Sequence, residues 1–396
     1  MVLNKNNSTK KRFLVIAYPF AGTGANMLRY KNFVDYLYQR NYEVDVVGYY
    51  DLKVELPPGI HYYQIRKILS FRFLLTFTSL AFHYLYLLKC QTLKEYVRRV
   101  GLAATTYTKS KFLIKKKQYE SCLVGIHPWA FYMMIPLLKN YIRTILDIGD
   151  PLYKNAILKK SSHPSNLLLE KQALEAADYV VTVNEPTIEI MTNEMGIPES
   201  KIRFITPAMN IESYCRDEIK FHSLHKPLRI IYSGSLYQGY RDLNEVQPAI
   251  ELLNDVVLDV FTNTSSNNKS SERVHFHNWI PHNNLLSLYR EYDVLLFVDN
   301  AYGYQVPSKI FEVLAQNKPI LFVYDQRNKY FYNMLNNQKG ITFVENKREK
   351  IMETLKEIMN KQTIEVCYTF DMSDYSVETV NRKLLALLIN LKKSCE

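Results

Sequence analysis

Short apolar runs of strand length recur along this chain, each followed by a stretch of helical spacing, and midway the rhythm stops and starts again. In the first half the strand-like runs are residues 13–18, 43–47, 123–126, 144–148, 179–183 and 202–205, with helical spacing over 27–40, 65–118, 129–138, 166–177 and 187–195. Gly196 follows the last of these as a C-cap. A polar stretch, 207–227, intervenes. The second half offers strands at 228–232, 256–261, 274–276, 294–298 and 319–323, and helices at 242–253, 307–316, 346–359 and 377–391. Strands alternating with helices fold into parallel sheets covered on both faces. Two such runs predict an α/β chain of two doubly wound, Rossmann-like domains: 1–206, a link 207–227, 228–370, and a C-terminal helix in 371–396 packing back on the first domain. In such sheets ligands bind at the carboxyl ends of strands, at a topological switch point. The chemistry is therefore sought just after strands.

Charge separates the halves. The chain carries 50 Lys+Arg and 39 Asp+Glu, a net +11. Residues 1–225 hold 30 basic and 19 acidic side chains, and 226–396 hold 20 of each, so the whole excess sits in the first half. Residues 1–120 alone carry 20 against 7. The run 73–88 falls short of the ~20 apolar residues a membrane span needs. Two readings fit it: a buried helix–helix contact, or a helix lying in an anionic membrane interface with Arg66, Lys67, Arg98 and Arg99 as flanks. Lys10-Lys11-Arg12 before the run 13–21 fits a cleaved leader, or a first strand with the turn Ala21-Gly22-Thr23-Gly24. The amphipathic stretch that follows favours the strand. Five scattered cysteines with no CxxC argue against a disulfide framework or structural zinc and for a reducing, cytoplasmic setting.

Two segments in the second half carry candidate chemistry. In Val306-Pro307-Ser308-Lys309-Ile310-Phe311-Glu312 a loop feeds a helix, whose free N–H groups suit a phosphate. Lys309 in the first turn opposes the helix dipole unless an anion compensates it. Glu312, one turn beyond Ser308, can accept both vicinal hydroxyls of a ribose. A plain Lys309–Glu312 ion pair fits the spacing equally. In Tyr232-Ser233-Gly234-Ser235-Leu236-Tyr237-Gln238-Gly239-Tyr240-Arg241 a strand meets a glycine-bearing turn, and Arg241 can clamp a diphosphate.

Together, "YSGSLYQGYR" and "VPSKIFEVLAQNKPI" resemble the nucleotide-sugar half of GT-B glycosyltransferases, nearest to glycosyltransferase family 4 of capsule and O-antigen synthesis. The first half agrees through "ILDIGDPLY" and "EAADYVVTVNEPTIEIMTNEMGIPESKIRFITPAMNIES". The resemblance implies two Rossmann-like domains facing a cleft. It matches Glu312 to the ribose-binding glutamate, Arg241 and Lys309 to basic positions facing the diphosphate, and Gly234 and Ser235 to the turn beside the leaving group, with Ser308 at the helix start a further donor-binding candidate. Trp279 falls where the family contacts the base. The family's first glutamate, eight residues before the second, is here Tyr304, which becomes a candidate catalytic position without a carboxylate. In the first half, Gly22 and Gly24 would approach the donor, and His127 and Asp150, each just after a strand, would serve the sugar or the acceptor hydroxyl. A structural His127 and an N-capping Asp150 fit as well.

The function this implies is transfer of a sugar from a UDP- or GDP-sugar to a hydroxyl acceptor, with retention. It would run without a metal or a permanently bound cofactor. The acceptor would be a lipid-linked glycan of cell-surface polysaccharide synthesis, met by peripheral contact with the cytoplasmic face of an anionic inner membrane. A nucleotide-sugar epimerase or hydrolase shares the fold and stands as the alternative. Nucleic acid is not expected as a partner, because the phosphate-site motifs lie in the charge-balanced half.

Overall fold

The computed structural model describes residues 10–18, 20, 25–48, 56–65, 71–84, 93–158, 161–262 and 270–389. Gly22, Gly24, Cys90, Cys395, residues 85–88 of the apolar run and residues 390–391 of the last helical stretch lie outside them. The chain divides into two units: Met1–Ala208 with Val377–Glu396, and Met209–Ser376.

In the first unit seven strands form one parallel sheet among the described residues. They are β1 (Arg12–Ile16), β2 (Glu43–Gly48), β3 (Ile60–Gln64), β4 (Ser121–Gly125), β5 (Thr144–Ile148), β6 (Tyr179–Thr182) and β7 (Ile202–Phe204). Their order is β3-β2-β1-β4-β5-β6-β7. β1 pairs with both β2 and β4. It occupies the switch point, which explains why residues 13–16 are all buried. Phe13, Val15, Leu123, Ile145 and Val181 share a core with Phe33 and Leu37 of the helix Ala25–Gln39. The helix Val377–Leu388 closes the same core with Val380, Leu384 and Leu388. It is fixed by Asn381 Nδ2 donating to Asn32 O (3.3 Å) and by Arg40 pairing with Glu378 (2.8 Å).

The second unit contains β8 (Lys220–Ser223), β9 (Leu228–Ser233), β10 (Val256–Phe261), β11 (Val274–His277), β12 (Val294–Val298), β13 (Ile320–Tyr324), β14 (Ile341–Glu345) and β15 (Thr363–Val366). Six of them form a parallel sheet in the order β11-β10-β9-β12-β13-β14. Here β9 and β12 are the neighbours at which the order reverses. Successive side chains of a strand point to opposite faces. Accordingly Ile230, Leu296 and Val298 pack with the helix Arg348–Met359, while Ile231, Leu295 and Phe297 pack with the helix Lys309–Leu314. Both faces are covered, as a parallel sheet requires.

Several local expectations change. The stretch 65–118 is two helices, Phe71–Tyr84 and Leu93–Lys116. Residues 129–138 begin as a 3-10 helix, Trp129–Met134, before one α turn. The expected helix 242–253 shortens to Val246–Glu251, because Asp242 caps a turn by accepting from Gly239 N (2.6 Å) and Asn244 N (3.1 Å). The expected helix 307–316 shortens to Lys309–Leu314. The stretch 207–227 is no bare linker. It carries β8, antiparallel to β15, and residues from 209 onward belong to the second unit.

Candidate functional site

At the switch point of the second unit, the loops after β9 and β12 meet. Tyr240 O accepts from Ala301 N (2.7 Å), and Tyr240 OH donates to Gln305 Oε1 (3.2 Å). The turn after β9 closes on itself, Tyr237 N to Arg241 O (2.7 Å) and Arg241 N to Tyr237 O (2.8 Å). Gly239, with φ 72°, supplies the left-handed residue that this turn needs. Gly234 N donates to Phe261 O, and Ser235 O accepts from Tyr232 OH. Arg241 is half-buried and its Nε has no hydrogen-bond partner.

Glu312 is the best-connected carboxylate of this region. Its Oε1 accepts from Lys309 Nζ (2.7 Å) and Tyr289 OH (3.2 Å), and its Oε2 from His282 Nε2 (3.1 Å). Its side chain is 14% exposed. Burial pushes the carboxyl up, but the hydrogen bond from His282 and the charge and hydrogen bond of Lys309 outweigh it and hold it at about 2. Glu312 is therefore ionised at neutral pH. Lys309 is engaged with it rather than standing free toward an anion. Ser308 stands at the N-cap position with helical dihedrals (φ −60°, ψ −15°) and makes no side-chain cap bond. The helix it starts is six residues long, so the anion-binding terminus expected there is reduced to a single short turn. Tyr304 is half-buried in the loop after β12, and Trp279 is exposed after β11.

His282 and Tyr289 escaped the sequence reading. Their spacing of seven, in His282–Leu288 and the turn that follows, puts them on one helical face two turns apart. That periodicity was the available signal.

In the first unit, Trp129 contacts the His127 ring and the Asp150 backbone. Its ring lies 5.6 Å from that of His127, and its Nε1 donates to Asp150 O (3.3 Å). Asp150 is half-buried and His127 exposed. The loop after β5 is braced by Glu170, fully buried, which accepts from Tyr153 N (2.7 Å), Leu152 N (3.1 Å) and Tyr132 OH (2.7 Å). Burial pushes the Glu170 carboxyl up to about 7 against these donors. Asp147 is buried behind the loop in a bidentate pair with Arg29 (2.7 and 3.1 Å). Among the described residues no three His, Cys, Asp or Glu side chains converge as a metal-ligand set.

No protein-family model and no curated protein matches the chain. Solved structures do. A glycosyltransferase from Rickettsia africae ESF-5 superposes with a TM-score of 0.60 at 12% identity, covering 98% of this chain and 100% of its own. Anabaena HepE in complex with UDP-glucose gives 0.63 at 11% identity, covering 96% and 100%. The fold is GT-B. A putative UDP-N-acetylglucosamine 2-epimerase from Listeria monocytogenes also matches, with a TM-score of 0.51 at 12% identity over 96% of each chain. GT-B architecture thus accounts for the two Rossmann-like sheets. The chemistry has to be argued from the side chains.

Proposed function

We propose that the protein is a glycosyltransferase that moves a sugar from a nucleotide-diphosphate-sugar donor to a hydroxyl acceptor. The observation that carries this reading is Glu312, a carboxylate held ionised beside the switch point by three donors. An ionised carboxylate there can accept from a ribose diol. Arg241, with an unengaged Nε, supplies positive charge that a departing diphosphate needs, and Lys309 would add to it only by turning from Glu312, to which it is now bonded at 2.7 Å. Gly234 and Ser235 would flank that diphosphate, Trp279 would stack on the base, and Tyr304 would lie beside the donor sugar. In the transfer the anomeric carbon loses its bond to the diphosphate oxygen, which keeps the electron pair, and gains one to the acceptor oxygen. Asp150 is the proposed base for the acceptor proton, with His127 orienting the hydroxyl. Retention and metal independence belong to the same proposal. The likeness to a protein solved with UDP-glucose supports the donor class.

A lipid-linked acceptor on the cytoplasmic face of an anionic membrane fits the first unit. From residue 56 to 94 the chain holds no acidic residue and five basic ones, Arg66, Lys67, Arg72, Lys89 and Lys94. The helix Phe71–Tyr84 exposes Leu74 (49%), Leu75 (55%) and Phe82 (79%). Thr78 on that face hides its hydroxyl by donating to Leu74 O and Leu75 O (3.0 Å each). Among the described residues no helix is long and apolar enough to cross a membrane.

A thermal-shift panel of UDP, GDP, CMP and their sugars tests the donor site. Stabilisation by one nucleotide, lost in Glu312→Ala and Arg241→Ala, is the expected result. No stabilisation by any of them removes the reading. An epimerase is the second reading, favoured by the Listeria match. An isomerised nucleotide sugar formed without acceptor would select it.

A further inference from the structure

Four buried polar atoms near the switch point have no hydrogen-bond partner: Arg241 Nε, Thr262 Oγ1, Asp299 Oδ2 and Asn300 Oδ1. They come from three adjacent strand ends. Thr262 follows β10, Asp299 and Asn300 follow β12, and Arg241 ends the turn after β9. Thr262, Asp299 and Asn300 are each more than nine-tenths buried. Asp299 Oδ1 accepts from Asn300 N (2.7 Å), which leaves Oδ2 alone. Asn300 Nδ2 donates to Gln305 O (2.8 Å), which turns its own Oδ1 away from that bond. An orphaned buried polar group costs about 1–3 kcal/mol, and native chains retain few of them. Of thirteen such atoms among the described residues, these four stand together at the ends of three adjacent strands, where ligands of such sheets bind.

Their chemistry defines the ligand. Asn300 Oδ1 is an acceptor that needs a donor, and Asp299 Oδ2, whose carboxyl burial pushes up to about 7, accepts when ionised and donates when protonated. Arg241 Nε is a donor that needs an acceptor, and Thr262 Oγ1 takes either role. A sugar hydroxyl gives and receives at one oxygen. A phosphate accepts from Arg241 and Thr262 but leaves Asn300 Oδ1 without a donor and is repelled by Asp299 when that carboxyl is ionised.

We propose that Asp299 and Asn300 bind the hydroxyls of the transferred sugar and set which sugar is accepted. Asp299 thereby supplies the carboxylate that is missing at Tyr304. This inference rests on the nucleotide-sugar reading above. Gln305 is bonded to this pair's loop, its backbone O accepting from Asn300 Nδ2 (2.8 Å) and its Oε1 from Tyr240 OH (3.2 Å).

The test compares UDP with UDP-glucose and GDP with GDP-mannose by calorimetric titration, on wild type and Asp299→Asn. In the variant, the extra affinity that the sugar confers should fall about tenfold or more, while affinity for the bare nucleotide stays within about twofold. Equal losses for nucleotide and nucleotide sugar, or an unchanged ratio, overturn the proposal. If the variant does not fold, wild type is titrated with nucleotide sugars lacking single hydroxyls. At least one deoxy analogue must lose the same factor, and full affinity for all of them overturns the proposal. Wild type that binds neither nucleotide nor nucleotide sugar fails the donor-site reading itself, a result distinct from an unchanged ratio.

Discussion

The Tyr289 hydroxyl lies 3.2 Å from Oε1 of Glu312 and makes a second hydrogen bond with Ser233, the last residue of β9. Tyr289 is itself buried, so its position is set by packing. One phenol therefore ties the end of β9 to the helix that carries Glu312. Burial, followed by the nearby Glu312 charge, drives the phenol's acidity well away from neutrality, so it stays protonated and serves as a donor. Lys309 and His282 approach the same carboxylate from the more exposed sides.

Tyr289→Phe removes that donor and changes little volume. A hydrogen bond to a charged group is worth about 1.5–3 kcal/mol. The variant is expected to keep its fold by circular dichroism and to lose about tenfold or more in nucleotide affinity by titration calorimetry. Unchanged affinity would mean that Lys309 and His282 alone orient Glu312.

Acid sensitivity follows from the same carboxylate. Its folded value of about 2 lies below the ordinary 4.5. A depressed carboxyl stabilises the folded state above its unfolded value, and that contribution is lost as pH falls through the folded one. The window is therefore roughly pH 4.5 down to 2, and the full effect is about 3 kcal/mol at 1.36 kcal/mol per unit. Urea unfolding at several pH values should show a shallower loss of stability in Glu312→Gln than in wild type across that window. Parallel curves would remove Glu312 from the acid response.

The strands that the sequence shows best are the ones buried on both faces. Residues 144–148, 256–261 and 294–298 are continuous runs with few polar breaks, and they are β5, β10 and β12 to the residue. Of the four edge strands of the two parallel sheets, β7 and β11 fall within a residue of the expected 202–205 and 274–276, while β3 and β14 escape the sequence reading. β3 (IHYYQ) and β14 (ITFVE) each bury one residue and leave most of the others half-buried, so no alternation marks them. Within the site, Glu312, Lys309 and Arg241 stand out because charge beside a strand end is conspicuous. Asp299 and Asn300 do not, because Asp-Asn after a strand looks like any turn. Only their burial and their unpaired atoms distinguish them. His282 needs the tertiary contact with Glu312 before it means anything.

The Arg29–Asp147 pair supports the first unit beneath the Asp150 loop. Arg29 also donates through Nη1 to Thr206 O (2.9 Å), so one guanidinium joins the first helix, β5 and the segment after β7. Removing one partner of a buried pair strands the other charge, at about 3–5 kcal/mol. Asp147→Asn is expected to lower the midpoint of thermal or urea unfolding by a corresponding amount. A loss under about 1 kcal/mol would show that water reaches Arg29 in the folded state.

Membrane contact should depend on both charge and apolar reach. The exposed side of Phe71–Tyr84 offers Leu74, Leu75 and Phe82, and the Tyr96 hydroxyl bonds to Ala81 O, which brings the start of Leu93–Lys116 beside it. Exposed Lys94 and Arg98 belong to that start. Apolar burial is worth about 25 cal/mol per Å², and each basic residue near an anionic surface adds about 1 kcal/mol. Flotation with vesicles rich in anionic phospholipid should carry the protein at low salt and release much of it at high salt, since exposed charges are screened. Leu75→Ser with Phe82→Ser should weaken binding at both salt concentrations. Transfer to a soluble acceptor should stay unchanged, because neither residue is placed in the donor site. Equal flotation with neutral and anionic vesicles, or none with either, would remove the membrane from the account of the basic half.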